Sequence, residues 1–176
     1  MYVALLRGIN VGGKNVLPMG DLTRLFVEAG CAHVRTYIQS GNVVFAASAT
    51  GARKVPMLVE AAIEREFGFV ASIQTRSAAE MRAVVAGNPL LTDHDEPALA
   101  VMFLAQAPTA KQTAALDPER SPGDIFAVRG REIYLACPDG FARTKLTNAW
   151  FDSRLGTIST ARNWRTTAKL THLVSN

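Results

Sequence analysis

The chain has 176 residues, with 48% hydrophobic and 19% charged side chains, which excludes a disordered polymer and gives room for one ordinary domain or two small ones. No apolar run approaches the roughly 20 residues needed to cross a bilayer, and the N-terminus lacks a secretory leader pattern. The net charge of +4 is uneven: residues 1–58 carry +4, residues 59–139 carry −5 and residues 140–176 carry +5, with fourteen arginines to five lysines.

Guanidinium groups favour planar contacts with carboxylates and phosphates. Two basic ends that meet would form an anion-attracting patch; ends that pair with the acidic middle would not. Cys31 and Cys137 have neither CxxC nor Cys/His spacing, so two reduced thiols in a cytoplasmic protein are the expectation.

In chain order, the pattern predicts a strand over 2–7, then a Gly- and Asn-rich loop from Gly8 to Asn15. A helix over 18–29 follows, with Pro18 in its first turn, a stripe of Leu22, Leu25, Phe26 and Ala29, and Gly30 as its stop. A hairpin pairs 34–39 with 43–45 across Ser40-Gly41-Asn42. Its first strand carries Arg35, Tyr37 and Gln39 on one face and Val34, Thr36 and Ile38 on the other. A helix over 56–67 begins at Pro56, buries Leu58, Val59, Ala62 and Ile63, and ends at Gly68; a strand over 69–75 closes the set. The order β-α-β-β-α-β is that of a split βαβ, or ferredoxin-like, plait.

Ser77-Ala78-Ala79-Glu80 reads as a capping box before a short helix, and Thr92 to Pro97 as an acidic loop. The order then recurs: a strand at 98–104, a helix at 109–116, a hairpin of 124–128 with 132–136, and a helix at 145–155. In place of a last strand, a helix over 160–173 is predicted, with Arg162, Arg165, Lys169 and His172 in one basic quadrant. The expected fold class is α+β: two tandem ferredoxin-like (alpha-beta plait) domains with a C-terminal helix. The expected divisions are 1–76, a connector at 77–97, and 98–176.

In such a plait the first and second strands are parallel with the third antiparallel between them, so the loop after strand one and the turn after strand two emerge at one edge. That edge gathers Arg7, Gly8, Asn10, Gly12, Gly13, Lys14 and Asn15 with Gln39, Ser40 and Asn42. Glycines let backbone amides approach a ligand, while Arg7 and Lys14 supply charge and the amide side chains supply directional hydrogen bonds. The plainer reading is a loop whose Asn side chains cap their own turns.

Gly8 to Asn15 falls one residue short of the GxxxxGK[ST] nucleotide loop, and the match is rejected: Asn15 has no hydroxyl for magnesium and Pro18 starts the helix too late. The basic C-terminal face, with Arg162, Asn163 and Arg165, is either a solvated helix face or a phosphate-binding stripe. His33, His94 and His172 are scattered, so neither a metal nor a cofactor is expected. Asp93-His94-Asp95-Glu96 reads as a solvated loop, and no catalytic constellation is assigned.

Residues 4–15, from Ala4 to Asn15, with Pro18-Met19 and Thr36-Tyr37-Ile38-Gln39-Ser40-Gly41-Asn42-Val43-Val44-Phe45, resemble the bacterial domain-of-unknown-function family 1697. Asn88-Pro89 is similar to that family's mid-chain turn, and Thr160 to Thr166 resembles its C-terminal motif, with Ala161 and Arg165 where the family usually has Thr and Asn. The resemblance implies two linked plaits in a cytoplasmic bacterial protein and implies no activity. From the residues, the leading expectation is a binding module for an anionic or polar ligand at the shared edge, either a phosphate-bearing small molecule or nucleic acid. Whether Arg162, Asn163 and Arg165 join it depends on where the last helix docks. Two alternatives stay open: an enzyme acting on a phosphorylated substrate without a covalent nucleophile, and a structural protein whose polar motifs join the two halves.

Overall fold

A computed structural model describes residues 1–175 of the chain. It is an α+β protein with two four-stranded antiparallel sheets and, among the described residues, six α-helices. The chain divides into two compact units: Met1–Ala83 with the segment from Leu170 onward, and Val84–Lys169.

In the first unit, β1 (Tyr2–Leu6) lies between β3 (Asn42–Ala46) and β4 (Ile73–Ser77), and β2 (Ala32–Tyr37) is the outer strand beside β3. Ala4 and Leu6 enter one core with Val43, Phe45 and the apolar stripes of two helices. Val3 and Leu5, on the opposite face of β1, are fully buried as well. A central strand buried on both faces needs a continuous apolar run rather than alternation, and Tyr2-Val3-Ala4-Leu5-Leu6 supplies one. β2 is bulged between Ala32 and Arg35, where His33 adopts φ 50, a device that spoils a sheet edge for pairing with other chains.

Helix α1 (Met19–Glu28) buries Leu22, Leu25 and Phe26, at the spacing that puts three side chains on one face. Helix α2 (Ala49–Phe67) starts well before the predicted Pro56 because Ser48 caps it, its side chain accepting from the Gly51 N–H at 3.0 Å. Pro56 therefore lies inside the helix, and Leu58 is solvent-exposed rather than buried; Val55, Val59 and Ile63 form the buried stripe. A carboxylate oxygen of Glu60 accepts from the Ile73 N–H at 2.6 Å, fixing α2 to the start of β4. Helix α3 (Ala78–Ala86) opens on the predicted capping box: Ser77 N–H donates to Glu80 Oε2 at 2.7 Å, and Glu80 N–H donates to Ser77 Oγ at 3.2 Å.

The second unit repeats the order: β5 (Leu99–Leu104), α4 (Ala110–Ala114), β6 (Ile125–Arg129), β7 (Glu132–Ala136), α5 (Asn148–Leu155) and β8 (Ser159–Asn163). Its sheet runs β6-β7-β5-β8, against β2-β3-β1-β4 in the first unit. The predicted helix over 160–173 is corrected here. Ser159–Asn163 is a strand paired with β5, and α6 (Trp164–Ser175) begins only after it. The cause is hydrogen bonding: β5 is buried on both faces, and without β8 its backbone groups on that side would be buried unpaired. Arg162 and Asn163 are thus strand residues, and the exposed basic face of α6 holds only Arg165, Lys169 and His172.

Two stability measurements follow. Pro56 cannot donate to the Ala52 carbonyl, so Pro56→Ala should raise the urea midpoint by the equivalent of about 1–3 kcal/mol with an unchanged slope. Burial raises the Glu60 pKa above its ordinary 4.5, against the opposing pull of the Ile73 N–H. The native state then holds this proton more tightly than the unfolded chain, so its contribution to stability is lost as pH rises from 4.5 through the folded value. Titrating Glu60→Gln beside the parent chain should show a shallower decline over that window.

Candidate functional site

Beyond β1 the chain must leave the sheet without a ladder, and every backbone group it exposes needs another partner. Leu6 N–H donates to the Gly41 carbonyl at 2.8 Å, and Arg7 N–H to the Ser72 carbonyl at 2.9 Å. A two-residue turn follows: Gly12 and Gly13 have φ 57 and 74, and Lys14 N–H donates to the Val11 carbonyl at 3.0 Å. Two consecutive positive φ values are the mark of the type I′ hairpin turn, which glycine adopts without steric cost.

The Asn10 side chain joins this loop to the turn after β2. Its Nδ2 donates to the Leu17 carbonyl at 3.0 Å and to the Gln39 carbonyl at 3.1 Å, and its Oδ1 accepts from Leu17 N–H at 2.8 Å. Asn15 Nδ2 donates to the Gly8 carbonyl at 2.9 Å. Asn42 is fully buried, its Nδ2 donating to the Tyr37 carbonyl at 3.1 Å and to Ser40 Oγ at 2.9 Å. Gly41 is sterically required: a Cβ there would come 2.7 Å from Leu6 Cβ.

Two stretches about thirty positions apart in the chain therefore lie side by side at one rim of the first unit. The rim brings together Arg7, Gly8, Asn10, Gly12, Gly13, Lys14 and Asn15 with Gln39, Ser40 and Asn42. The Asn10, Asn15 and Asn42 amide groups donate to neighbouring backbone carbonyls. The exposed Lys14 ammonium and the exposed Gln39 amide face solvent. Arg7 is half-buried and bonded.

Arg162, Asn163 and Arg165 belong to the second unit. Burial pulls the Arg162 guanidinium down to about 10, and its Nη1 donates to Thr160 Oγ1 and to the Ala161 carbonyl, each at 2.8 Å. Burial pushes both Cys31 and Cys137 up to about 11, which leaves them poor nucleophiles at neutral pH. Among the described residues no cluster of three His, Cys, Asp or Glu side chains could hold a metal ion, and no helix is long and apolar enough to cross a membrane.

Sequence reasoning missed Ile38. It stands in the same turn at φ 49, a conformation that a β-branched residue rarely adopts, and is 53% exposed. Val11 and Val16, in the loop after β1, are exposed as well. No residue type flagged Ile38, because isoleucine is a strand former. Arg76 was missed too: it is buried on β4, where a signal existed in the charge interrupting an otherwise strand-like stretch.

The fold and the rim define a two-unit α+β protein whose most elaborate loop stands at a sheet edge. The chain belongs to a family described only as proteins of unknown function (DUF1697), which matches residues 1–134. Among solved structures it is similar to "conserved bacterial protein SP0830 from Streptococcus pneumoniae", with 22% identity, a TM-score of 0.73, and coverage of 98% of this chain and 97% of that one. That likeness bears on the fold alone. No curated protein matches the chain.

Removing the Asn10 side chain should separate the roles at the rim. Asn10→Ala loses three hydrogen bonds and puts a Cβ residue without a polar side chain at φ 55, and is expected to cost about 2–4 kcal/mol in denaturant unfolding. Lys14→Ala, on an exposed side chain, should stay within about 0.5 kcal/mol of the parent.

Proposed function

We propose that the chain is a binding module holding an anionic or polar ligand, a phosphate-bearing small molecule or a nucleic acid, at the first-unit rim. Lys14 supplies the outward charge and Arg7 a second cation. Gln39 supplies an amide able to donate and accept, and Gly8, Gly12 and Gly13 supply backbone that a ligand can approach closely. Around the three glycines nothing lies within 4 Å of where a Cβ would stand, which favours such an approach. Only first-unit residues enter here.

One observation carries this reading. Ile38 is held in left-handed backbone while largely exposed, so strain on the order of 1–3 kcal/mol is not offset by burial of its own side chain. Backbone strain of that size clusters where a surface is preorganised for a partner. A braced rim also loses less entropy on binding than a mobile loop does. The strand orders support reading both units as ferredoxin-like plaits. Two buried free thiols suit the reducing interior of a bacterial cytoplasm.

The test is fluorescence anisotropy with a labelled single-stranded oligonucleotide, with ATP as competitor. Affinity should fall linearly with the logarithm of salt, and Lys14→Ala should shallow that slope by about 0.7 for its lost phosphate contact. Unchanged binding in both Lys14→Ala and Gln39→Ala, or absence of binding to either probe at the lowest salt, overturns the proposal.

A further inference from the structure

An open sheet has two outer strands, and each leaves one row of backbone N–H and C=O groups without a ladder partner. Three of the four outer strands of this chain are blunted. β2 is bulged, with His33 in left-handed backbone. β4 and β8 are largely buried, through Gln74 and Arg76 in the one and Ser159, Thr160 and Arg162 in the other. β6 is neither bulged nor buried. Its pairing with β7 is regular from Ile125 to Arg129, it contains no proline, and Ile125 is 46% exposed.

The bonding phase of β7 shows which groups of β6 are free. Cys137 N–H donates to the Ala98 carbonyl and Leu104 N–H to the Arg131 carbonyl, each at 2.8 Å. In an antiparallel ladder this turns the backbone groups of Arg131, Ile133, Leu135 and Cys137 towards β5. Glu132, Tyr134 and Ala136 therefore bond to β6, where they stand opposite Arg129, Ala127 and Ile125. The N–H and C=O groups of Phe126 and Val128 point the other way, out of the sheet edge. Among the described residues no strand pairs with that side of β6, and no hydrogen bond reaches those groups.

We infer that two copies of this chain pair antiparallel along β6, about a two-fold axis at Ala127. The free groups dictate the register. Phe126 of one copy stands opposite Val128 of the other, and the reverse, and each such pair exchanges both of its backbone hydrogen bonds. A shift of two residues one way would set Val128 against Asp124, whose N–H is already bonded to the Ser121 carbonyl at 3.0 Å. A shift the other way would set Phe126 against Gly130 in the turn.

The side chains suit a second copy as occupant. Ala127 meets itself at the close, non-hydrogen-bonded position of the seam, where a small residue fits. Phe126 beside Val128 is a favourable aromatic and β-branched cross-strand pair. Arg129 faces Ile125 rather than its own copy, and Asp124 comes opposite Gly130, between Arg129 and Arg131 of the second copy. Opposite charges thus end the seam, and no like charges are opposed within it. A two-fold contact uses β6 once in each copy, so assembly closes at the dimer. The contact draws on the second unit alone and stands or falls apart from the first-unit rim.

The experiment is sedimentation velocity of the full chain from about 1 µM to about 1 mM, with amide hydrogen exchange measured at each concentration. A reversible monomer–dimer equilibrium is expected, with no larger species. The Phe126 and Val128 amides should exchange at least tenfold more slowly at the top of the range, while Ala127, already bonded to β7, stays unchanged. Ala127→Lys and Ala127→Glu each oppose like charges on the two-fold axis; each should weaken the dimer at least tenfold, and an equal mixture of the two should pair again. A monomer throughout, concentration-independent exchange at Phe126 and Val128, or growth past the dimer overturns the inference. So does a folded Ala127→Lys that dimerises like the parent, or a mixture of the two variants that stays monomeric.

Discussion

The Asn10 carboxamide holds two segments that no ladder reaches. It ties Leu17 from both its donor and its acceptor, and reaches across to the Gln39 carbonyl. Loops run over the surface because water can satisfy their backbone groups. Here the loop and the turn bond to each other instead, through a side chain small enough to sit at φ 55. Asparagine tolerates that conformation at little cost, as Asn15 does at φ 52, while glycines take the remaining left-handed positions. At the rim, strain accumulates where neither residue type is used, at Ile38. The rim is therefore braced by its own hydrogen bonds.

The same economy appears twice in the scaffold. Each central strand, β1 and β5, is flanked antiparallel by the second strand of a hairpin and by the last strand of its unit. Arg76 stands opposite Val3, and Arg162 stands opposite Val101, at corresponding places in the two sheets. Each guanidinium donates through Nη1 to the carbonyl of the residue preceding it, Thr75 in one case and Ala161 in the other. A charge buried in a sheet face must be bonded to remain tolerable. Finding the same solution at matching register positions is a stronger sign of internal repetition than element order, which many α+β chains share.

What the residues revealed in advance, and what they hid, has a physical basis. Strands with a strong apolar run, capping boxes such as Ser77–Glu80, and glycine stops are local signals, and those elements were legible. Pro56 misled because proline favours a first turn, while the true start lay at Ser48 in a stretch of small residues with no apolar period. β8 was illegible because Thr160 and Arg162 occupy its buried face, so the strand shows no hydrophobic alternation and only the unpaired edge of β5 dictates it. At the rim, residue type disclosed polarity but not direction. Asn10, Asn15 and Asn42 read as candidate ligand donors, and their amides donate to nearby backbone carbonyls, that of Asn10 reaching Gln39 in the neighbouring turn.

The chemistry left at the rim is that of charge and hydrogen bonding. Proton transfer near neutrality needs a group with a pKa close to the working pH, held within reach of the reacting atom. Lys14 and Gln39 are exposed, while the two thiols of the chain are buried and displaced upward to about 11. Such groups can orient a ligand and balance its charge. Stabilisation equal in ground and transition states tightens association without lowering the chemical barrier, whereas stabilisation greater in the transition state lowers it. Beneath the exposed Lys14 and Gln39 side chains, the Asn10 hydrogen bonds keep the backbone of loop and turn together.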